Sequence, residues 1–126
     1  MGNIKIQDLR IGNYISDEGN YATIELINGE EEEVFYKGRK TYLSSHIDYI
    51  LPIEINYESL IKLGFKINFE NSFNVSFIFN DLEYHIPKHN LNKGFAFYKR
   101  LSFEINYVHE LQNLYFVLTG SELNVL

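Results

Sequence analysis

Between Phe73 and Phe79 the apolar side chains fall on alternate residues, Phe73, Val75, Phe77 and Phe79, and a spacing of two suits only a strand. Asn80-Asp81 follows as a turn, and Leu82, Tyr84 and Ile86 repeat the alternation, so the stretch reads as an antiparallel hairpin. Pro87, with no N–H to give to a ladder, ends the second strand. After a loop at Lys88–Gly94, the segment Phe95–Ile105 puts Phe95, Phe97, Leu101, Phe103 and Ile105 on one face. Lys99 interrupts that face, which predicts a turn or bulge near Lys99-Arg100.

Short strands also fill the first fifty residues. Ile11–Ile15 precedes the turn cluster Ser16-Asp17-Glu18-Gly19-Asn20. Tyr21–Ile27 then alternates, with Ala22, Ile24 and Leu26 on one face and Thr23 and Glu25 on the other, and Asn28-Gly29 gives a hairpin signal. Val34–Tyr36 and Thr41–Leu43 flank a further turn at Gly38-Arg39, and the acidic run Glu30–Glu33 reads as a solvated tip. Several short strands with no helix between them predict a small SH3-like β-barrel.

Two helices complete the chain. Asn56 caps a short one over Tyr57–Leu63, with Leu60, Ile61 and Leu63 inward and Gly64 ending it. The second begins after Asn106, carries Glu110 in its first turn and stops before Gly120. Its apolar stripe is Val108, Leu111, Leu114, Tyr115 and Leu118. The expected fold class is α+β: an N-terminal SH3-like β subdomain over residues 1–52, then a short helix and an antiparallel sheet covered by the C-terminal helix over 53–126, in one compact whole.

With 126 residues, 45 % of them hydrophobic and 16 % aromatic, the chain has enough apolar surface for a core without disulfides or metal. It has no cysteine, so no thiolate site. No apolar run reaches a membrane helix, and Met1–Lys5 lacks the apolar centre of a secretory signal; a cytoplasmic protein is expected. Net charge −6 argues against general nucleic-acid binding, which needs a basic face. Residues with A/T-only codons are abundant, and alanine occurs only at Ala22 and Ala96, a composition that suits many bacterial and phage genomes.

Chemical signatures are sparse. His85 and His89 are spaced as helical metal ligands, but Pro87 separates them and the segment reads as strand into loop, so no metal or other cofactor is expected. There is no G-x-S-x-G elbow and no phosphate-loop glycine pattern. One stretch departs from the acidic background: His85–Phe103 carries Lys88, Lys93, Lys99 and Arg100 with no carboxylate, interleaved with rings. Cations beside stackable rings suit an anionic, planar ligand, so His85, Lys88, His89, Lys93, Tyr98, Lys99 and Arg100 form the candidate site for a nucleotide-like molecule. The bland alternative is a strand pair with an apolar inner face and a solvated basic outer one.

The C-terminal string Tyr107-Val108-His109-Glu110-Leu111-Gln112-Asn113-Leu114-Tyr115-Phe116-Val117-Leu118-Thr119-Gly120-Ser121-Glu122-Leu123 resembles the ending of a group of small accessory proteins of bacterial phages, prophages and mobile elements. Asp8–Tyr14 resembles the group's opening, and Pro52-Ile53 with Leu60–Phe65 its middle. Val117 stands where relatives carry alanine, and Glu110 where glutamine is common. The resemblance brings no catalytic residues. It implies an accessory protein of a mobile element in the bacterial cytoplasm.

Three functions follow. The first is a non-enzymatic binding module that sequesters an anionic nucleotide-like ligand as a host-defence antagonist. The second is a partner of a host protein, or a virion-associated component, with no small-molecule site. The third is a small hydrolase or nuclease using His85, His89 or His109. Ten Phe and ten Tyr exceed what a core this size readily hides, which predicts a homo-oligomer.

Overall fold

A computed structural model describes residues 4–38, 42–90 and 93–126. The chain divides into two units, Met1–Ile53 and Glu54–Leu126. No helix among the described residues is long and apolar enough to cross a membrane.

In the first unit the tightest turn lies at Glu18-Gly19, where both residues take left-handed backbone with φ of 51° and 86°. Two positive φ angles in a two-residue loop match the twist of the flanking strands, and they join β1 (Tyr14–Asp17) to β2 (Asn20–Asn28). The predicted turn at Asn28-Gly29 is built differently. Asn28 Oδ1 accepts from the Glu31 N–H and Glu32 carries the positive φ, so a four-residue acidic loop leads into β3 (Glu33–Lys37). β4 (Tyr42–His46) follows; the expected turn at Gly38-Arg39 and the start of its strand at Thr41 fall partly outside the described residues.

A break in register between Ile24 and Leu26 inverts the alternation of β2. Ile24 is fully buried, Leu26 turns outward, and Ile27 packs on the core in its place. That core gathers Ile15, Ala22, Ile24, Val34 and Tyr36 from the strands, with Ile47 and Ile50 beyond β4. The predicted SH3-like barrel does not close: the strands run β1-β2-β3-β4 as an open antiparallel sheet. Leu51 occupies the outer side of β1, where its carbonyl accepts from the Ser16 N–H at 2.9 Å and takes a closing strand's place.

The second unit opens with α1 (Tyr57–Lys62). Asn56 Oδ1 accepts from the Ser59 N–H at 2.9 Å, and Ser59 Oγ accepts from the Asn56 N–H at 2.8 Å. Leu60 and Leu63 are buried; Ile61, a neighbour in sequence but about 100° around the helix, is exposed rather than inward. Gly64, at φ 93°, ends the helix. Five antiparallel strands follow in sequential order: β5 (Lys66–Glu70), β6 (Asn74–Phe79), β7 (Leu82–Pro87), β8 (Phe95–Tyr98) and β9 (Leu101–Glu104). β5 has no sequence counterpart in the predicted set, since as a wholly exposed edge it shows no clean alternation. Phe73, expected in β6, lies in the turn before it, where Asn71 Oδ1 accepts from the N–H groups of Phe73 and Asn74.

The sheet has two distinct faces. Val75, Phe77 and Phe79 pair across with Ile86, Tyr84 and Leu82, and on across β8 with Ala96 and Tyr98. Helices lie over this face: Tyr57 meets Phe77 edge-on at 5.1 Å, and Phe79 contacts Phe65 and Tyr115. The predicted single face from Phe95 to Ile105 is split by the hairpin at Lys99-Arg100, where Lys99 takes φ 55°. Pairing of Ala96 with Phe103 and Tyr98 with Leu101 puts Phe103 and Leu101 on the helix side, while Phe95 and Phe97 join His85 on the other.

α2 (Val108–Thr119) ends at Gly120, which is left-handed at φ 76°. Tyr107, not Asn106, is its cap, and Glu110 Oε1 accepts from the N–H groups of both, each at 3.1 Å. The buried stripe is Val108, Leu111, Gln112 and Tyr115, with His109 beside it; Leu114 and Leu118 are only half-buried. The period was as expected and the phase was not, because Gln112 turns inward to donate to the Leu123 carbonyl and pins the returning tail, where Leu123 is buried. Leu111→Ala is therefore expected to cost about 2–5 kcal/mol. Leu118→Ala should cost less than half as much, since a half-exposed side chain leaves no closed cavity. Urea denaturation of the two variants checks the phase of the helix.

Candidate functional site

The sequence-predicted site residues separate into two groups. Lys88, His89 and Lys93 lie in the loop after β7, next to the Pro87–Asn74 pair. Tyr98, Lys99 and Arg100 lie at the β8–β9 turn, next to the Leu82–Tyr98 pair. β7 has six residues, so the groups are separated by roughly 17 Å at the usual strand rise. Two cations are already engaged: Lys88 Nζ is 2.7 Å from the Glu70 carboxylate, and Lys99 Nζ stands 5.4 Å over the Tyr98 ring. The local excess of positive charge in the sequence thus comes from two strand ends and does not converge on one nucleotide-sized site.

His85 is on the face away from the helices. Its ring lies 4.6 Å from Phe97 and 5.9 Å from Phe69, centroid to centroid. Its Nε2 is 3.0 Å from Glu83 Oε1 and 3.3 Å from Ser76 Oγ. Serine, histidine and carboxylate are the parts of a hydrolytic relay, but a relay needs nucleophile and carboxylate on different ring nitrogens. Here both meet Nε2, and Ser76 is fully buried. The cluster ties rings together across strands and offers no attacking group. His89 is exposed in its loop, and His109 is buried in α2 with its ring stacked on Tyr107 at 6.0 Å. Among the described residues no group of three or more His, Asp or Glu could hold a metal ion.

A pocket of about 160 Å³ opens at the loop end of the second sheet, lined by Glu54, Ile55, Tyr84, Ile86, Lys93, Gly94, Asn106 and Tyr107. Each wall is held by a bond the fold itself requires. The Tyr84 hydroxyl donates to the Ile105 carbonyl. The Ile105 N–H donates to the Gly94 carbonyl at 3.1 Å, and Asn106 Oδ1 accepts from the Gly94 N–H at 3.2 Å. The Ile55 N–H donates to the Asn106 carbonyl at 3.0 Å, and Glu54 bridges to Tyr107. Gly94 is required here, because a Cβ on it would stand 1.8 Å from the Tyr84 oxygen. Burial pushes the Tyr84 phenol well above the usual tyrosine range, and the Glu110 and Glu104 charges push it further.

Of the predicted site residues only Lys93 lines this pocket. Sequence reasoning passed over the rest. Tyr84 looked like one more inward ring, and Asn106 like a helix cap. Gly94 was the available signal: a glycine directly before an apolar strand that no turn at that point explains. No protein-family model, curated protein or solved structure matches the chain.

The folded phenol of Tyr84 holds its proton more tightly than the unfolded one, so the stability it adds is fully present below about pH 10 and is lost as pH rises beyond it. Tyr84→Phe is expected to cost about 1–3 kcal/mol at neutral pH by leaving the Ile105 carbonyl without its donor. Its stability should fall less steeply than that of the wild type above about pH 10. The two proteins differ only in the Tyr84 hydroxyl, so the difference between urea curves collected across that range reads that group.

Proposed function

We propose that this chain is a non-enzymatic binding module, an accessory protein of the kind its segments resemble, and that it holds a small polar molecule in the Tyr84–Gly94–Asn106 pocket. The observation that carries this reading is a pair of opposite charges left unused. Lys93 and Glu54 line one pocket, yet among the described residues neither makes an ion pair within 4 Å. Elsewhere in the same unit Lys88 reaches Glu70 and Lys62 reaches Glu58. Opposite charges that line one pocket without pairing are available to a third body.

Size narrows the ligand. About 160 Å³ is well under the roughly 300–1,000 Å³ of sites that enclose drug-sized molecules, and close to the ~150 Å³ that holds a benzene-sized one. The nucleotide-like ligand suggested by composition therefore gives way to something smaller. Sequestration in the bacterial cytoplasm remains the proposed role, and the ligand would leave unaltered on denaturation.

A second reading, docking of a host protein or of another copy, is favoured by one observation: around the edge strand β5, Ile67, Phe69 and Phe73 are 53, 44 and 71 % exposed. The two readings separate in one experiment. Amide correlation spectra of the labelled protein are recorded against a panel of small polar metabolites, nucleotides included. Shifts are expected at Gly94, Asn106 and Tyr107 with at least one compound of under about a dozen heavy atoms. Silence at those amides across the panel would remove the pocket reading and leave the β5 edge in the lead.

A further inference from the structure

We propose that the pocket takes a zwitterion of the α-amino-acid class with a short aliphatic side chain, its carboxylate on Lys93 and its ammonium on Glu54. This rests on the small-ligand reading above and specifies its chemistry. Lys93 is the one cation among the lining residues and Glu54 the one carboxylate, and they stand apart instead of closing on each other. A purely anionic ligand would meet Lys93 but also the Glu54 charge. A purely cationic one would meet Glu54 and be repelled by Lys93. A molecule carrying both charges a few ångströms apart satisfies both, and buries no charge uncompensated.

The floor fixes which end goes where. The Tyr84 hydroxyl donates its hydrogen bond to the Ile105 carbonyl, so toward any other group its oxygen can only accept. The carbonyls of Gly94, Ile105 and Asn106 are each taken by a donor of the fold, and Asn106 Oδ1 is taken by the Gly94 N–H. Burial raises the Tyr84 phenol most, and the nearby Glu110 and Glu104 carboxylates raise it further. The Glu54 side of the pocket thus favours an ammonium. The carboxylate is left for Lys93, the one cation on the lining. Ile55 and Ile86, both buried, supply an apolar wall for a side chain of a few carbons, and the volume leaves room for no more.

The test uses the full chain and calorimetric titration with glycine, L-alanine, L-serine and L-valine. For the tightest of them, two analogues follow: the amine lacking the carboxylate and the acid lacking the ammonium. At least one amino acid should bind, with each analogue tenfold or more weaker. Lys93→Ala and Glu54→Gln, both at exposed positions and expected to keep the wild-type melting temperature, should each weaken the amino acid about tenfold. Glu54→Gln should weaken the amine analogue as well and leave the acid analogue unharmed; Lys93→Ala should do the reverse. An acid analogue that binds as tightly as its parent overturns the dipolar assignment. If no amino acid binds but another small molecule shifts Gly94, Asn106 and Tyr107, the class is wrong and the pocket stands. If nothing shifts them, both readings fall together.

Discussion

The Tyr84 phenol joins three parts of the second unit that are remote in sequence. Its hydroxyl holds the Ile105 carbonyl at the exit of β9, and its ring occupies the space that a side chain on Gly94 would need at the entry to β8. Ile105 and Gly94 are themselves bonded through the backbone. The β8–β9 pair is therefore closed at its open end by a buried ring rather than by a turn. From there the chain must swing directly into α2, and it does so with Glu110 reaching back to the amides of Asn106 and Tyr107. A capping carboxylate one turn into a helix stabilises that helix by offsetting its N-terminal dipole. Placed next to a buried phenol, the same carboxylate also makes the neighbourhood negative. The pocket inherits its walls and its potential from bonds whose first role is to turn the chain.

Each element's period could be read from the sequence, but its phase often could not. Alternation in β6 and β7 is visible because both faces of those strands have settled environments: Phe77, Leu82 and Tyr84 are fully buried, and His85 lies between the rings of Phe69 and Phe97. Leu26 was misplaced because a single extra residue in β2 reverses every later position, and nothing in Thr23–Ile27 marks it. β5 carries the same kind of irregularity between Ile67 and Phe69, and as an edge it also lacks the second neighbour that would impose a pattern. The stripe on α2 was displaced by one polar residue. Gln112 sits where an apolar side chain would be expected and is buried for the sake of a single carbonyl on the tail. A buried amide of this kind is invisible to hydrophobic periodicity, since its partner lies eleven residues away.

The basic stretch is spread in space for a different reason. Charge counted along a segment says nothing about charge gathered in space, and an antiparallel meander is the topology that separates the two most. A strand carries its ends as far apart as its length allows, and polar residues collect at the ends because the middle is packed. Lys88 and Lys93 lie in the loop before β8, and Lys99 and Arg100 follow it, so one strand's length stands between the two pairs.

Pairing, not composition, then decides which charges are available for recognition. Lys88 is neutralised by Glu70 from the far edge of the sheet, and Lys62 lies one helical turn from Glu58. Lys93 and Glu54 differ from these because the backbone holds them on separate walls. Glu54 enters alongside Tyr107, and Lys93 immediately precedes a glycine fixed by Tyr84. Both line one pocket, and among the described residues neither makes an ion pair within 4 Å. In a chain of net charge −6 a lone cation at such a place faces a surplus of carboxylates, Glu104 and Glu110 among the nearest to the pocket floor. That imbalance penalises a simple anion, and it makes a neutral dipole the species that the local field orients instead of expels.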